Sequence, residues 1–437
     1  MPSVLALYAH YLAAGGLVST DSRQPQPGTL FFALNGPSFR GAAFAAQALA
    51  AGAAHAVVDD VLLAATDPVR YTYAPDPLRA LQALARHHRQ QFAVPVLAVT
   101  GSNGKTTTKE LLTMVLARRF RVLSTIGNLN NHIGVPLTLL RLRTGEHDFA
   151  VIEMGANHRG EIAAYCEIAR PTHGLITNIG KAHLEGFGGV EGVALGKGEL
   201  FDFLTRTGGT AFVNTLDPRL PSLAAQVPVR LSYPALVDTY PATLLAAAPA
   251  VVLRLGPYGP DVAAPLTGDY NVPTLAAAAA VGRHFGVGLD DVAAALADYN
   301  PQNNRSQLVR TAAGNELILD AYNANPSSMA AALRSFAQRP VAAGHTKLAI
   351  LGDMFELGPE SQAEHRQLGQ LLAELELSQV LLIGPEMAAA ASVAPNTQHF
   401  ISKAEAADWL RAYPVRGRQV LIKGSRSMAL ETLVELL

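Results

Sequence analysis

Val94-Pro95-Val96-Leu97-Ala98-Val99-Thr100-Gly101-Ser102-Asn103-Gly104-Lys105-Thr106-Thr107 passes from an apolar strand pattern into a glycine-bounded turn, then into a helical pattern over Thr107–Arg118. Gly101 and Gly104 let the backbone wrap so that successive amide N–H groups face phosphate oxygens, where the following helix adds its positive end. In such a loop Lys105 neutralises the outer phosphates and the Thr106 hydroxyl can ligate Mg²⁺. Gly101, Ser102, Asn103, Gly104, Lys105, Thr106 and Thr107 therefore form the expected nucleotide site. The usual phosphate loop has its first glycine where Val99 stands, so this is a shortened variant, unlike that of an ordinary GTPase or motor. No Gly-x-Gly-x-x-Gly follows any strand, which disfavours a dinucleotide oxidoreductase.

Working outward, Glu153 ends the strand pattern Phe149–Ile152, at the place where α/β nucleotide enzymes hold a metal. His183 lies just past the strand pattern Leu175–Asn178, and Lys197 is expected to start the helix containing Glu199 and Phe201. Read singly, these three are a capping carboxylate, a surface histidine and a solvated lysine.

Apolar strands alternate with Ala- and Leu-rich helical patterns almost throughout, the signature of α/β layering. Three units are expected: 1–91, with strands Leu30–Leu34 and Ala54–Asp59; 92–302, around the phosphate loop; and 303–437. In the second, strands are expected at Phe149–Glu153, Gly174–Asn178 and Gly209–Asn214, and Pro221, Pro228, Pro234 and Pro241 mark irregular crossings. The third carries strands near Leu317–Asp320, Lys347–Gly352, Gln379–Gly384 and Arg418–Lys423, after a polar linker at Gln302–Ser306. Val4, Leu7, Tyr8, Tyr11 and Leu12 recur at helical spacing, as on a buried face.

The 437 residues exceed one ordinary core, and 49% apolar with 16% charged residues is a globular composition. Thirty-four basic residues balance thirty-five acidic ones, so no bulk field draws the chain to nucleic acid or an anionic membrane. Cys166 stands alone, excluding an intrachain disulfide and a multi-cysteine metal site. No Lys or Arg precedes Arg23, as a signal peptide would require. The uncharged stretches Gly41–Val58 and Val122–Leu140 are broken by Gly52 and His55 and by a run of Asn, His and Pro, so neither suits a bilayer. A cytoplasmic protein without membrane insertion is expected.

Gly101–Thr107, Gly127-Asn128-Leu129-Asn130-Asn131, Glu153-Met154-Gly155-Ala156-Asn157-His158, Asn178–Glu185 and Lys197–Phe201 together resemble the Mur ligase family, over nearly the whole chain. The resemblance implies three α/β domains: a small UDP-binding domain, a central ATPase-type parallel sheet and a C-terminal Rossmann-like domain. It implies magnesium on Thr106, Glu153 and His183, and carbamylation of Lys197 by CO₂. Asn271 matches the family's adenine-contacting Asn, with Tyr270 where the family has His and Thr274 where it has a second Asn. Arg305 falls where the family places an arginine near ATP. Thr20-Asp21-Ser22-Arg23 resembles the uridine-binding segment, with Ser22 and Arg23 as substrate contacts and Arg40-Gly41 departing from the family's Asp-Gly. Asn130, Tyr322, Asn323, Asn325, Ser425 and Arg426 match its substrate-binding motifs.

Asp320–Met329, Leu351–Gly358 and Lys423–Met428 resemble the dipeptide-adding branch, and the Asp-Asn-Pro-Arg of the diamino-acid-adding branch is missing. The implied reaction is ATP-dependent addition of D-alanyl-D-alanine to UDP-N-acetylmuramoyl-tripeptide by a monomeric enzyme. ATP would activate the tripeptide carboxylate as an acyl phosphate, which the dipeptide amine then attacks. His158 and Asp320 are the candidate bases for that amine. The competing readings are a sibling ligase using one amino acid or folate, and a phosphate-loop switch protein that is no ligase.

Overall fold

The computed structural model describes residues 2–24, 26–302, 304–341 and 345–437. Three parallel or mostly parallel sheets follow one another along the chain. The first has four parallel strands in the order Val18–Ser19, Leu30–Phe32, His55–Val58 and Tyr71–Tyr73. Its preceding helix Val4–Ala13 buries Leu7 and Tyr11, whereas Leu12, expected on the buried face, is exposed.

The central sheet runs Val229–Tyr233, Thr210–Asn214, His173–Ile176, Val96–Thr100, Phe149–Glu153, Val122–Ser124. Val96–Thr100 and Phe149–Glu153 are buried at every position, as strands covered on both faces must be, and this explains their unbroken apolar runs. The order places Val96–Thr100 between the strands ending at Ile176 and Glu153. Three strand ends thus converge where the phosphate loop turns into the helix Lys105–Leu116, which packs on Val272–His284.

The proline-marked segment holds more regular structure than expected. Val229–Tyr233 adds a parallel edge strand, and Ala242–Ala246, Val251–Leu255 and Asp261–Ala264 form an antiparallel three-stranded sheet. Pro228, Pro234 and Pro241 sit just outside strand ends, where no ladder hydrogen bond is lost, and Pro221 opens the short helix Leu220–Leu223. Lys197 also differs from expectation: it lies in the middle of the helix Val190–Thr207, not at its start. Gly192 and Gly196 leave room for Phe187 against that helix, since a Cβ at Gly196 would lie 2.5 Å from the Phe187 ring.

The C-terminal sheet runs Gln307–Arg310, Glu316–Leu319, Gln419–Lys423, Lys347–Gly352, Gln379–Ile383, Thr397–Phe400, with only the first strand antiparallel. The adjacent ends of Glu316–Leu319 and Gln419–Lys423 bring Asp320 and Lys423 together. Of the expected linker, Asn303 lies outside the described residues. No helix among the described residues is long and apolar enough to cross a membrane.

Candidate active site

The phosphate loop owes its shape to the neighbouring strand. Ser102 N–H donates to Asn178 O at 3.0 Å, Asn103 N–H donates to Asn178 Oδ1 at 3.1 Å, and Thr177 Oγ1 donates to Asn103 O at 2.6 Å. Gly101 (φ 140°) has no alternative, because a Cβ there would stand 2.0 Å from Thr177 Oγ1. Gly104 (φ 77°) turns the chain into the helix, whose first amide groups border a cavity of about 660 Å³. Lys105 Nζ donates to the carbonyls of Gly101 at 2.7 Å and Ser102 at 3.1 Å. Burial pushes its ammonium down to about 8; Glu153 opposes the shift and Arg305 adds to it.

Glu153, fully buried, closes the cavity floor. Its Oε1 accepts from Thr106 Oγ1 at 3.1 Å and Asn130 Nδ2 at 2.7 Å, while Oε2 is buried without a partner. A buried carboxylate oxygen without a hydrogen-bond partner, beside a hydroxyl and a phosphate loop, leaves a hard oxygen donor of the kind that suits magnesium. Among the described residues no three His, Cys, Asp or Glu side chains converge as a metal cage. The fit is therefore to an ion completed by phosphate oxygens and water, as magnesium prefers.

His183, expected beside Glu153 as a ligand, borders the cavity but turns elsewhere. It occupies a left-handed backbone position (φ 52°), and its Nδ1 pairs with Glu356 of the C-terminal domain. Lys197 is buried, donates to Ala156 O at 2.9 Å and lies 4.9 Å from the Phe187 ring centre. Burial, then the nearby Lys105, drives its amine well below the usual lysine range. A neutral amine is what addition to CO₂ needs, so the chemistry of this lysine fits a carbamate.

The opposite wall comes from the C-terminal domain. Asn325 caps the helix Pro326–Gln338 and donates from Nδ2 to Asn103 Oδ1 at 2.7 Å, tying that domain to the phosphate loop. Lys181 reinforces the seam, its N–H donating to Ser327 Oγ and its ammonium pairing with Glu364. At the cavity wall the half-buried Asp320 pairs with the buried Lys423 at 2.6 Å, and Asp320 Oδ1 also accepts from Ser306 N–H. Both carboxylate oxygens are engaged in this structure, so Asp320, expected as a candidate base, stands here as an anchor for Ser306 and Lys423. His158, the other candidate, is two-thirds exposed and outside the cavity lining. Glu161 accepts from the Asn157 and His158 amides, and the imidazole follows that turn outward.

Asn271 lines the cavity with Tyr270 and Thr274, its Nδ2 bonded to Thr267 O at 2.8 Å. Arg305, Tyr322 and the exposed Asn323 also line it. Ser425 does not: its Oγ accepts from Phe355 N–H at 3.0 Å, a structural bond inside the C-terminal domain. Arg426 is exposed and stacks on Tyr322. In the first domain the Arg23 fork is spent on Asp21 at 2.8 Å, with its side chain 84% exposed, and Ser22 is only half-buried. Lys181, Glu356 and Lys423 fall within motifs that the sequence singles out but had no role of their own, and Glu364 lies outside all of them. Their pairings could not be read locally, because Glu356 is 173 positions from His183, Glu364 is 183 from Lys181, and Asp320 is 103 from Lys423.

Three family profiles match in chain order: the Mur ligase family catalytic domain over residues 16–89, the Mur ligase middle domain over 99–282, and the Mur ligase glutamate ligase domain over 304–426. The chain belongs to the Mur ligase family. It is 37% identical over 429 residues to the UDP-N-acetylmuramoyl-tripeptide–D-alanyl-D-alanine ligase of Escherichia coli K12, covering 96% of this chain and 93% of that one. The crystal structure of MurF from Acinetobacter baumannii superposes with a TM-score of 0.87 at 34% identity, covering 98% and 97% of the two chains. MurF from Thermotoga maritima, solved in complex with ADP, gives 0.84 at 26% identity, covering 96% of each. The phosphate loop of this chain, Gly101–Thr107, lies within the span matched by the middle-domain profile.

Proposed function

We propose that this chain uses ATP to join D-alanyl-D-alanine to UDP-N-acetylmuramoyl-tripeptide, with domain divisions at 91/92 and 302/303. The observation that supports it most is the shared cavity: Asn103 of the phosphate loop and Asn325 of the C-terminal domain meet at 2.7 Å. A nucleotide and an amine can therefore be presented to the same carboxylate. Relatives that carry this name over nearly their full length support the choice of substrates.

Lys105 would leave the carbonyls of Gly101 and Ser102 for the γ-phosphoryl oxygens, and Arg305 would face the same charge from the C-terminal side. Asn271 would read the adenine. Thr106 and Glu153 would hold magnesium, which offsets phosphate charge as it redistributes. Lys197 as a carbamate would add a carboxylate beside Ala156 and Glu161. Closure of the three domains around the substrates would exclude the water that otherwise hydrolyses an acyl phosphate. Ser22 and Arg23 would bind the uridine diphosphate, and Asn130 and Asn323 the peptide.

Product mass after incubation with ATP, UDP-N-acetylmuramoyl-tripeptide and D-alanyl-D-alanine tests the proposal. The dipeptide adduct is expected, with phosphate released only when both acyl and amine substrates are present. Faster turnover with a single amino acid than with the dipeptide would reassign the chain to a sibling reaction. Carbon-13 NMR in labelled bicarbonate tests Lys197, whose carbamate resonance should vanish in Lys197→Ala.

A further inference from the structure

Two guanidinium groups converge on one aromatic ring at the wall of the cavity. Arg305 Cζ lies 3.5 Å and Arg426 Cζ 4.6 Å from the centre of the Tyr322 ring. Like charges gathered this way normally bring a carboxylate with them. Here none stands within ion-pair reach of either group among the described residues. Arg305 Nε is moreover buried without a hydrogen-bond partner. The ring is the surface that makes this arrangement tolerable, because its π face attracts cations without consuming their N–H donors.

The backbone around Arg305 is built for the same end. Asn304 (φ 57°) and Ser306 (φ 49°) flank it in the left-handed region, a strained arrangement that the surroundings must enforce. The enforcement comes from the segment that carries the ring. Tyr322 N–H donates to Asn304 O at 3.1 Å, and Ser306 N–H donates to Asp320 Oδ1 at 3.1 Å. Asp320 is in turn fixed by the buried Lys423. Arg305 thus has both its backbone and its side chain tied to Asp320–Tyr322, on the wall of the cavity that the phosphate loop also lines. Arg305 also adds to the downward push on the Lys105 ammonium, which places the two cations in one field.

We propose that Tyr322 is a positioning residue, whose ring holds Arg305 unpaired and aimed at the terminal phosphoryl group of the bound nucleotide. This rests on the ATP-dependent reading above, but it is tested by nucleotide binding alone and needs no peptide substrate. A chain that binds ATP yet forms no dipeptide product would refute the ligase assignment and leave the Tyr322 measurement standing.

Calorimetric titration of the full chain with ADP and with a non-hydrolysable ATP analogue, both with magnesium, reads the γ-phosphoryl contribution as a ratio of affinities. Tyr322→Leu should weaken the ATP analogue about 10-fold while ADP stays within about 2-fold. Tyr322→Phe, which keeps the ring and drops the hydroxyl, should recover most of that loss. In an Arg305→Ala background Tyr322→Leu should change little further, since the group it positions is gone. Tyr322→Met supplies a similar bulk without a ring if the leucine variant fails to fold. The proposal is overturned if the ringless variant binds the analogue as the wild type does. It is equally overturned if Phe is as impaired as Leu, if ADP and the analogue weaken alike, or if the two substitutions add in full.

Discussion

The phosphate loop and the Thr20–Arg23 turn both face anionic groups in the proposed reaction, yet they stand in opposite states. In the loop, backbone groups and the side chains of Thr177, Asn178 and Glu153 hold Gly101–Thr106 in a ligand-ready shape. In the turn, Arg23 closes on Asp21 two residues away, with no wall around it. A phosphate site can be made from main-chain amides and a helix end, which the fold itself positions. A site made from exposed side chains on the edge of a small sheet is ordered by its ligand. The first should lose function when one atom is removed, and the second should tolerate loss as weakened binding.

The largest expected effect sharpens that contrast at Lys105. Lys105→Ala should lower kcat/KM by about 10²-fold, on the order of 3 kcal/mol, through loss of γ-phosphoryl stabilisation. Its melting temperature should stay close to the wild type, since relief of a desolvated ammonium offsets the lost bonds to the Gly101 and Ser102 carbonyls. Steady-state kinetics beside a thermal melt decide it, and near-wild-type turnover would break the reading of the loop.

Arg23→Ala should act more mildly. We expect KM for the UDP-linked substrate to rise about 10-fold with kcat within about twofold, the pattern of lost uniform binding. An unchanged KM would place uridine diphosphate elsewhere on the first domain.

The pH response of the loop is smaller again. With the Lys105 ammonium pushed down to about 8, the free site carries its charge below that pH and loses it above. A polyphosphate prefers the charged form, so nucleotide affinity should fall as pH rises past about 8, by several-fold over one pH unit. Titration of Lys105→Arg, whose guanidinium stays charged, should give a flatter profile. A wild-type affinity that rises through the same window would contradict the assigned burial effect.

The smallest effect is on stability. Glu153 Oε2 is buried without a partner, so Glu153→Gln should stabilise the ligand-free protein by about 1 kcal/mol while impairing turnover. Denaturant unfolding checks this, and destabilisation would mean that the carboxylate is satisfied within the chain itself.

Much of the architecture was legible because parallel strands covered on both faces read as short apolar runs. Phe149–Glu153 and Lys347–Gly352 fall where their runs predict. The edge strand Val229–Tyr233 and the antiparallel sheet after it were missed, because proline and half-exposed residues masked their alternation. His158 and Asp320 were attractive as bases by residue type, but local capping by Glu161 and the ion pair with Lys423 assign them other work.

The sequence by itself determined the phosphate loop, since its shape follows from glycines, a lysine and a hydroxyl within one turn of a strand–helix junction. It also determined the family, through motifs spread along the chain. Only the tertiary structure decided which partners those motifs meet. Asn325 reaches Asn103 across 222 positions, His183 turns to Glu356, and Arg305 and Arg426 share the Tyr322 ring. The reason is physical: local spacing sets backbone shape within a few residues, whereas ion pairing and stacking depend on how separate domains dock.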